Sequence, residues 1–315
     1  MGGTHWLFQH AAEAGVALAR YANVAQTLHA GELIQGNCVA LASGSGPCNG
    51  PYGLTYVDFH PSRLVSEFAR QTRLFLQGRL RHAVSPREAE LIEGLVDKTE
   101  RVPDGHMVQR RASPASHSTL LLDGFIARVI DDHASRHIVG LQVPGDFVDL
   151  HAFALKRLDH DVVTIGPAML AYVPHERLAQ IVSEEPHLTR LLWFSTLLDA
   201  AVHREWILKL EQLKAEERLA HIMCELWHRL DFVGLADAHG FNMPLLQTHL
   251  ANACGTTAVH INRVIKSLRQ KNLLEINRGR VTFPDRPALE RFALFKPDYL
   301  YGKGSLYLSE DLTQP

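Results

Sequence analysis

One stretch of this chain, residues 247–272, constrains its fold more than any other. It reads QTHLANACGTTAVHINRVIKSLRQKN. Ala251 is small where two helices would approach closely, and Gly255 stands four residues later, where a turn with positive φ favours glycine. After Thr257, which can cap a second helix, apolar residues recur at helical spacing: Ile261, Val264, Ile265 and Leu268. The pattern predicts two short helices that cross at a tight turn.

The second of these helices has a polar and basic outer face. The apolar stripe leaves outside His260, Asn262, Arg263, Lys266 and Arg269. A helix of this kind fits the major groove of DNA. An ordinary helical hairpin would also have a solvated charged face, but it would not need the small residue, the glycine and the apolar positions at helix-turn-helix spacing. We therefore expect DNA binding.

A basic hairpin is predicted directly after this helix. Residues 273–276 and 281–283 have the character of short strands, and residues 277–280, Asn-Arg-Gly-Arg, form a turn between them. Residues 256–280 contain six Lys or Arg and one acidic residue, whereas the whole chain has 32 basic and 34 acidic residues and a net charge of −2. Positive charge is thus concentrated in this module. The residues expected to contact DNA are Gln247, Thr256, Thr257, Ala258, Val259, His260, Asn262, Arg263, Lys266, Arg278 and Arg280.

Composition limits the remaining function classes. At 315 residues, with 46% hydrophobic and 21% charged residues, the chain can hold two globular domains. It has no apolar run of about 18 residues, so no transmembrane helix or membrane partner is expected. Its start lacks the basic region of a secretory signal, which predicts a cytoplasmic protein. The 4 cysteines are scattered, so we expect no disulfide framework, metal site or cofactor, and no catalytic residues are identified.

The first 60 residues differ from the rest of the chain. Residues 6–33 are alanine-rich and helical in pattern, and residues 42–53 contain four Gly, two Pro and two Ser. That composition is typical of a linker or a disordered stretch. We expect residues 1–60 to be a poorly ordered extension without an assigned function.

A region of short strands is predicted in the middle of the chain. Residues 63–96 have a helical pattern in which Ser85-Pro86 looks like a helix start. From about residue 101 to residue 174 the apolar runs are short and separated by turns. Closely spaced strands of this kind predict a small β-roll or jelly-roll barrel. The strands are expected at 120–122, 125–130, 137–143, 161–165 and 169–173.

A long helix is predicted after the strands, over residues 186–212. Roughly 25 residues without a break is long for a helix within one domain, and such a helix often lies along a copy of itself. The residues expected at that contact are Leu191, Leu198, Ala201 and Val202. The alternative is a helix that packs only on its own barrel. A second helix over 215–230 would lead into the DNA-binding module.

A β-roll, a long helix and a winged helix-turn-helix, in that order, resemble the Crp-Fnr superfamily of bacterial transcription regulators over about residues 63–300. The motifs that carry the resemblance are residues 121–125, 143–147, 216–221 and 247–272. Residues 149–151 and 193–196 resemble a branch common in α-proteobacteria. The resemblance implies a homodimer that binds a two-fold operator in double-stranded DNA and contacts RNA polymerase.

The expected architecture is an α+β fold with a cyclic-nucleotide-binding-like β-roll (jelly roll), a long dimerisation helix and a C-terminal winged helix-turn-helix. The expected boundaries are 1–60 for the extension, 63–182 for the roll with its flanking helices, 186–212 for the dimerisation helix, 213–300 for the winged domain and 301–315 for a tail.

The sequence departs from the family pattern at its ligand sites. Where cyclic-nucleotide-binding members have a Gly-Glu pair and an Arg-Ser or Arg-Thr pair, this chain has residues 148–151 and 158–161, so a phosphate would meet Asp159 and Asp161 instead of arginine. Iron–sulfur members have a tight N-terminal group of cysteines plus one cysteine in the roll. Here Cys38 and Cys48 lie in the extension with nine residues between them, and no cysteine occurs between residues 51 and 223. The effector therefore stays unknown, and an iron–sulfur cluster is not expected.

The residues that would read the operator also differ. The recognition helix of well-studied branches opens with an Arg-Glu or Glu-Ser pair, and here Ala258 and Val259 occupy those places. They can touch a thymine methyl but offer no hydrogen bond. Arg263 remains at the position that pairs with guanine in the family.

Two alternatives compete with a DNA-binding regulator. The roll could be a ligand- or metal-binding, cupin-like protein without DNA function, since Asp149, His151 and residues 159–161 form a polar group. Cupins, however, need a His-x-His strand, and the chain has none. Alternatively, the helix-turn-helix could be kept only for packing, but packing has no use for Arg278 and Arg280 on a tip.

Overall fold

The computed structural model describes residues 38–41, 55–58, 70–132 and 135–302. The chain divides into two compact units, residues 1–69 and 70–315. In the first unit, β1 (Cys38–Leu41) and β2 (Thr55–Asp58) pair antiparallel, with Leu41 opposite Thr55. The predicted helix over 6–33, the predicted linker over 42–53 and most of the predicted tail lie outside the described residues.

The second unit begins with turns and not with the continuous helix that the pattern over 63–96 suggested. Short 3₁₀ helices cover Gln71–Leu74 and Arg81–Ala83, and α1 spans Pro86–Leu95. Leu76 has φ 58° and Gly78 has φ 71°, which no helix can contain. The predicted helix start at Ser85 is confirmed as a capping box, in which the Ser85 hydroxyl accepts from the Glu88 amide and the Glu88 carboxylate accepts from the Ser85 amide.

Five antiparallel strands form the roll. They are β3 (Lys98–Val102), β4 (Met107–Gln109), β5 (His117–Asp131), β6 (Arg136–Gln142) and β7 (Asp161–Pro174), in the order β3-β7-β5-β6 with β4 also paired to β7. The predicted short strands on either side of Gly124 and Gly166 merge into the long β5 and β7. The predicted roll is confirmed. The sequence pattern did not show that β5 and β7 are two long strands that continue across it.

Apolar side chains fill the roll. Within it lies a buried cluster of Val102, Leu121, Ile126, Val148, Leu158, Val162 and Leu170. A second cluster lies where α1, α3 (His175–Glu184) and the start of α4 (Pro186–Gln212) cover one face of the roll. It includes Phe75, Leu120, Val173 and Leu178. A short helix, α2 (Ala152–Leu155), follows the turn at residues 144–146, which we call the Pro-Gly-Asp turn. The roll therefore has a closed core of its own.

The long helix, α4, spans Pro186–Gln212 and is about 40 Å long at 1.5 Å per residue. One of its faces is buried on its own chain, and that face contains the four residues predicted for dimerisation: Leu191, Leu198, Ala201 and Val202. Because these four side chains pack within their own chain, a contact with a second chain through them stays a prediction. Periodicity reveals an apolar face but not what covers it.

The C-terminal part is a small α/β module. It contains α5 (Ala215–Phe232), β8 (Ala236–Asp237), β9 (Gly240–Asn242), α6 (Gln247–Ala253), α7 (Ala258–Gln270), β10 (Glu275–Asn277), β11 (Arg280–Thr282), α8 (Arg286–Phe292) and a 3₁₀ turn at Pro297–Leu300. The predicted wing hairpin is β10-β11, and β9 and β8 extend it to a sheet of order β10-β11-β9-β8. The sequence analysis did not predict β8 and β9, which have two and three residues.

A buried set of charged side chains joins the roll to this module. Arg229 of α5 donates to Asp146 in the Pro-Gly-Asp turn (2.7 Å), to Gln142 of β6 (3.2 Å) and to Glu225 (3.1 Å). Burial by itself lowers the pKa of Arg229, but the charges of Asp146 and Glu225 raise it overall. Glu225 also accepts from Tyr299 at 2.9 Å. We call Asp146, Glu225 and Arg229 the interdomain charge cluster.

In the part of the chain that the structure describes, no helix is long and apolar enough to cross a membrane.

Candidate nucleic-acid interface

The turn between α6 and α7 has the geometry that the sequence predicted. Gly255 has φ +60°, in the left-handed region that favours glycine. The amide of Thr256 donates to the carbonyl of Ala251 at 2.9 Å, and Arg218 of α5 donates to the carbonyl of Cys254 at 2.7 Å. Ala251 is buried. The turn is therefore fixed both by backbone conformation and by a side chain from a neighbouring helix.

The second helix, α7, presents a polar face to solvent. Its first amides are capped by Thr257, whose hydroxyl accepts from the His260 amide at 3.2 Å. Ile261, Val264, Ile265 and Leu268 form its buried stripe, as predicted. Every predicted contact residue in and beside the helix is exposed except Thr256, which is half-buried: Gln247, Thr257, Ala258, Val259, His260, Asn262, Arg263 and Lys266.

Some of these residues meet in a groove of about 320 Å³ beside α7. The amide of Asn262 donates to the Gln247 side chain at 3.2 Å, which joins the recognition helix to the start of α6. Lys266 and Arg269 line the same groove. The structure thus brings Gln247, Asn262 and Lys266 together on one surface, which a linear sequence cannot show.

The cations of this surface are not equally available. Arg269 lies 3.7 Å from the Glu275 carboxylate and donates to the Ile276 carbonyl, and Lys271 pairs with Glu216. Among residues 70–132 and 135–302, Arg263 and Lys266 have no ion-pair partner. Their charges are therefore free to meet a phosphate or a base.

The wing has a tight turn and two arginines with different surroundings. Asn277 pairs with Arg280, and the residues between them, Arg278 and Gly279, have φ 46° and 82°. Two positive φ values are typical of a type I′ hairpin turn. Arg278 is exposed, whereas Arg280 is half-buried and pairs with Asp237 of β8. Burial by itself raises the pKa of Asp237, but the bonds from Arg280 and the His239 amide lower it overall.

The structure divides the polar group behind the metal-binding alternative: His151, Asp159 and His160 line one cleft, whereas Asp149 and Asp161 bond elsewhere. The Asp149 carboxylate accepts from the Thr119 amide at 2.5 Å, and its burial raises its pKa to about 7. Asp161 accepts from the Arg111 amide at 2.6 Å, and Asp159 bonds to His160. No group of three or more His, Cys, Asp or Glu side chains is arranged to hold a metal ion within the described ranges.

Arg128 and Asp199, which connect the roll to α4, were not predicted from the sequence. Arg128 is 1% exposed, donates to the Val148 carbonyl at 2.6 Å and pairs with Asp199 of α4. Its signal was present in the sequence, because it is the one charged residue in the apolar run Phe-Ile-Ala-Arg-Val-Ile at residues 125–130. A charge in such a run indicates a buried partner.

Residues 217–292, which include α6, α7 and the wing, match the family described as the Crp-like helix-turn-helix domain. The chain is similar to regulators of the Crp-Fnr superfamily. The relatives that the chain resembles are named as transcriptional activators and regulatory proteins, and the cupin-like alternative is not favoured.

The similarity to known proteins extends beyond residues 217–292. A probable transcriptional activator of Rhizobium leguminosarum bv. viciae is 28% identical over 167 residues, which cover 53% of this chain and 68% of that protein. An anaerobic regulatory protein of Pasteurella multocida is 21% identical over 207 residues, covering 65% and 76%. The structure of FixK2 from Bradyrhizobium japonicum superposes with a TM-score of 0.57 at 18% identity, covering 62% of this chain and 96% of FixK2. The predicted α+β fold is thereby confirmed.

Proposed function

We propose that this DNA-binding Crp-Fnr regulator acts as a homodimer on a two-fold operator. The observation that carries the proposal is the exposed face of α7, on which Arg263 and Lys266 have no ion-pair partner among the described residues. A duplex offers the missing partners, because its phosphates and guanine edges accept from arginine and lysine.

The proposed DNA contacts divide into base and phosphate contacts. Arg263 donates to a guanine, and the exposed side chain of Val259 meets a thymine methyl. Lys266 and Arg278 neutralise phosphates. Arg280 contributes less, because Asp237 already pairs with it. Gln247, Thr256, Thr257, Ala258, His260 and Asn262 complete the proposed contact surface.

We place the dimer contact on the outer face of α4. Spacings of four, three, four, three and four residues connect Trp193, Leu197, Ala200, Arg204, Ile207 and Glu211, which is the heptad spacing of a coiled coil with charged residues at two of the six positions. We call this row the α4 seam. Trp193, Leu197 and Ile207 are 64%, 52% and 66% exposed. A second copy of the seam would cover these apolar side chains and set the two recognition helices about one DNA turn apart, ~34 Å.

The remaining assignments follow from the family. The roll over 70–182 acts as the regulatory domain, α4 over 186–212 as the dimerisation helix and residues 213–300 as the DNA-binding domain. The regulator contacts RNA polymerase, and it works in the cytoplasm, where chromosomal DNA is accessible to it. The relatives named transcriptional activators support an activating role.

Selection of bound sites from random double-stranded DNA by the purified full-length protein tests this proposal. We expect enriched sites with two inverted half-sites whose centres lie about one helical turn, 10 base pairs, apart. The Arg263→Ala variant, carried through the same selection, should lose preference at one base pair in each half-site. Enrichment of a single unsymmetric site, or no enrichment at moderate salt, would contradict the proposal of a homodimer on a two-fold operator.

A further inference from the structure

The last described segment of the chain, residues 297–302, leaves the DNA-binding module and returns to other parts of the second unit. It follows Phe295, whose ring is held by two histidines of α5. The Phe295 ring lies 5.2 Å from that of His228 at an angle of 22° and 4.9 Å from that of His221 at 70°. Phe295 is therefore still anchored in the module. We call residues 297–302 the C-terminal clasp.

Two hydrogen bonds hold the clasp to buried groups. The Tyr299 hydroxyl donates to the Glu225 carboxylate of α5 at 2.9 Å. Arg79 Nε donates to the Leu300 carbonyl at 3.0 Å, and both of these residues are buried. Arg79 lies between the two 3₁₀ helices that begin the second unit, 221 positions before Leu300. The clasp thus joins the end of the DNA-binding module to the start of the unit.

Ring contacts continue at the end of the clasp. Tyr301 meets Phe194 of α4 edge to face, with ring centres 6.1 Å apart. Gly302 lies so close to Phe232, the last residue of α5, that a Cβ at residue 302 would overlap the Phe232 ring. The Arg79 guanidinium lies over the same ring, 4.9 Å from its centre. Phe232 therefore contacts both the clasp and the arginine that holds it.

Arg79 is a costly side chain to bury at this place. Burial lowers its pKa to about 10, although the charges of Asp146 and Glu225 raise it, so the group stays charged at pH 7. Its Nη2 has no hydrogen-bond partner among the residues that the structure describes. An apolar side chain of similar volume would avoid the cost of burying the charge. What arginine adds is a directed N–H donor for the Leu300 carbonyl.

The other attachments of the module leave room for rotation. Residues 213–214 alone separate α4 from α5. On the roll, Gly166 abuts Pro244 of the module, where a Cβ would lie 2.8 Å from the proline side chain. The hydrophobic effect has no direction, so an apolar contact of this kind permits small shifts, whereas a hydrogen bond holds only within a narrow range of distance and angle.

The clasp reaches elements that the interdomain charge cluster does not reach. In that cluster, Arg229 ties α5 to the roll at Asp146 and Gln142. A body held at one place can still turn about it. The clasp adds contacts to Arg79 and to Phe194 of α4, which restrict such a turn.

We propose that the C-terminal clasp fixes the orientation of the DNA-binding module and thereby sets the half-site spacing that the dimer accepts. The contacts with Arg79 and Phe194 hold α5 in one orientation, and α7 follows because it packs on α5 within the module. The spacing rests on the proposed homodimer and its two-fold operator, whereas the orientation is a property of one chain.

Spin labels measure the orientation without DNA. Labels at Arg101→Cys in β3 and Gln270→Cys in α7, both at exposed positions, report the distance between the roll and the module by double electron–electron resonance. Replacement of Cys38 and Cys48 by serine restricts labelling to these sites, since the other two cysteines are buried. Excess unlabelled protein removes distances between chains.

Two truncations form a matched pair for this measurement. Removal of residues 299–315 deletes the clasp contacts, and removal of residues 303–315 retains them. We expect one narrow distance distribution in the full chain and in the shorter truncation, and a distribution about twofold broader in the longer one. An unchanged distribution in the longer truncation would overturn the proposal.

A point variant outside the module decides the question if the longer truncation fails to fold. Arg79→Met removes the donor to the Leu300 carbonyl and leaves every residue of the module in place. It should broaden the distance distribution as the truncation does. Arg110→Met, at an exposed arginine of the roll, is the matched control and should leave the distribution narrow. Equal distributions in the Arg79→Met and Arg110→Met variants would contradict the clasp.

DNA binding measures the consequence for spacing. One base pair inserted between the half-sites of the selected operator should weaken binding of the full chain about tenfold or more, and binding of Arg79→Met less than about threefold. A module that is only destabilised would lose affinity for both operators in the same proportion. Equal discrimination by the full chain and the variant would overturn the role in spacing. If site selection yields no two-fold operator, the proposed function fails, and the spin-label distances still decide whether the clasp orients the module.

Discussion

At the scale of single residues, the difference between a structural and a functional role depends on partners. Arg229 and Arg263 have the same side chain, but Arg229 is buried and bonded to Asp146, Gln142 and Glu225, whereas Arg263 is exposed and without an ion pair in the described part of the chain. An arginine held by three partners stabilises the fold. One that is free on a helix face is available for recognition.

Arg263→Ala should weaken binding to the selected operator by about 1–3 kcal/mol and relax selectivity at one base pair. The physical reason is the loss of a bidentate bond to guanine. Affinities measured on the operator, on base-pair variants and on random DNA check this expectation. Arg101→Ala, at an exposed arginine on β3 of the roll, should leave every affinity unchanged. An equal loss on operator and random DNA would mean that Arg263 meets only phosphate.

Gly255→Ala should destabilise the protein by about 1–2 kcal/mol, because alanine is strained at φ +60° even though a Cβ there meets no atom closer than 3.5 Å. Gly94→Ala is the matched control. Gly94 lies in α1 with open space around it and no positive φ, so alanine there should stabilise by up to about 1 kcal/mol. Urea unfolding of both variants measures the difference, and a loss of the same sign at both positions would rule out backbone strain as the cause.

At the scale of elements, the recognition helix and the wing are set by their neighbours. Arg218 of α5 fixes the turn before α7, and β8, with Asp237, holds Arg280 at the base of the wing. The wing tip is a type I′ turn, and of its two arginines only Arg278 has no ion-pair partner among the described residues. Arg278 and Arg280 look equivalent in the sequence, but in the sheet Arg280 has an ion-pair partner, Asp237.

Arg278→Ala should lower the slope of log affinity against log salt by about one unit, because one phosphate contact is lost. Arg280→Ala should lower it by less, since the Arg280 charge is already paired with Asp237. Fluorescence anisotropy at several salt concentrations distinguishes the two variants. A larger effect at Arg280 would show that the wing changes its pairing when it meets DNA, and an unchanged slope in both would remove the wing from the interface.

At the scale of the whole molecule, two surfaces decide how the parts act together. The interdomain charge cluster ties the Pro-Gly-Asp turn of the roll to α5, and the α4 seam leaves an apolar row uncovered. The first links the roll to the DNA-binding module within one chain. The second is the surface on which two chains would meet.

Leu197→Glu should convert the dimer to a monomer, because it places a charge in the middle of the proposed seam. Leu155→Glu, at a leucine of α2 that is 64% exposed, should leave the dimer intact. Sedimentation velocity at several concentrations measures both. A dimer that survives Leu197→Glu unchanged would place the contact elsewhere.

Asp146→Asn should cost about 1.5–3 kcal/mol of the free energy of unfolding, because a charge-assisted bond to a buried guanidinium is weakened. Asp97→Asn removes an exposed pair with Arg177 and should cost less than about 1 kcal/mol. Chemical unfolding quantifies the contrast. Equal small effects would mean that Glu225 alone suffices for Arg229.

Much of this architecture could be predicted from the sequence. The features that could not be predicted leave no local pattern in it. The helix-turn-helix was predictable because its turn needs glycine and its stripe has helical spacing, both of which are local properties. The 3₁₀ turns over 71–83 were not, since residues 63–96 as a whole have a helical pattern although Leu76 has a positive φ. The pairing of Arg280 with Asp237 joins residues 43 positions apart and leaves no local signal.

The sequence by itself determined the order of roll, long helix and winged module, because periodicity and turn residues act over a few positions. Only the tertiary structure decided which face of α4 is exposed and which wing arginine is available. These properties depend on what covers each side chain, and the covering residues come from distant parts of the chain.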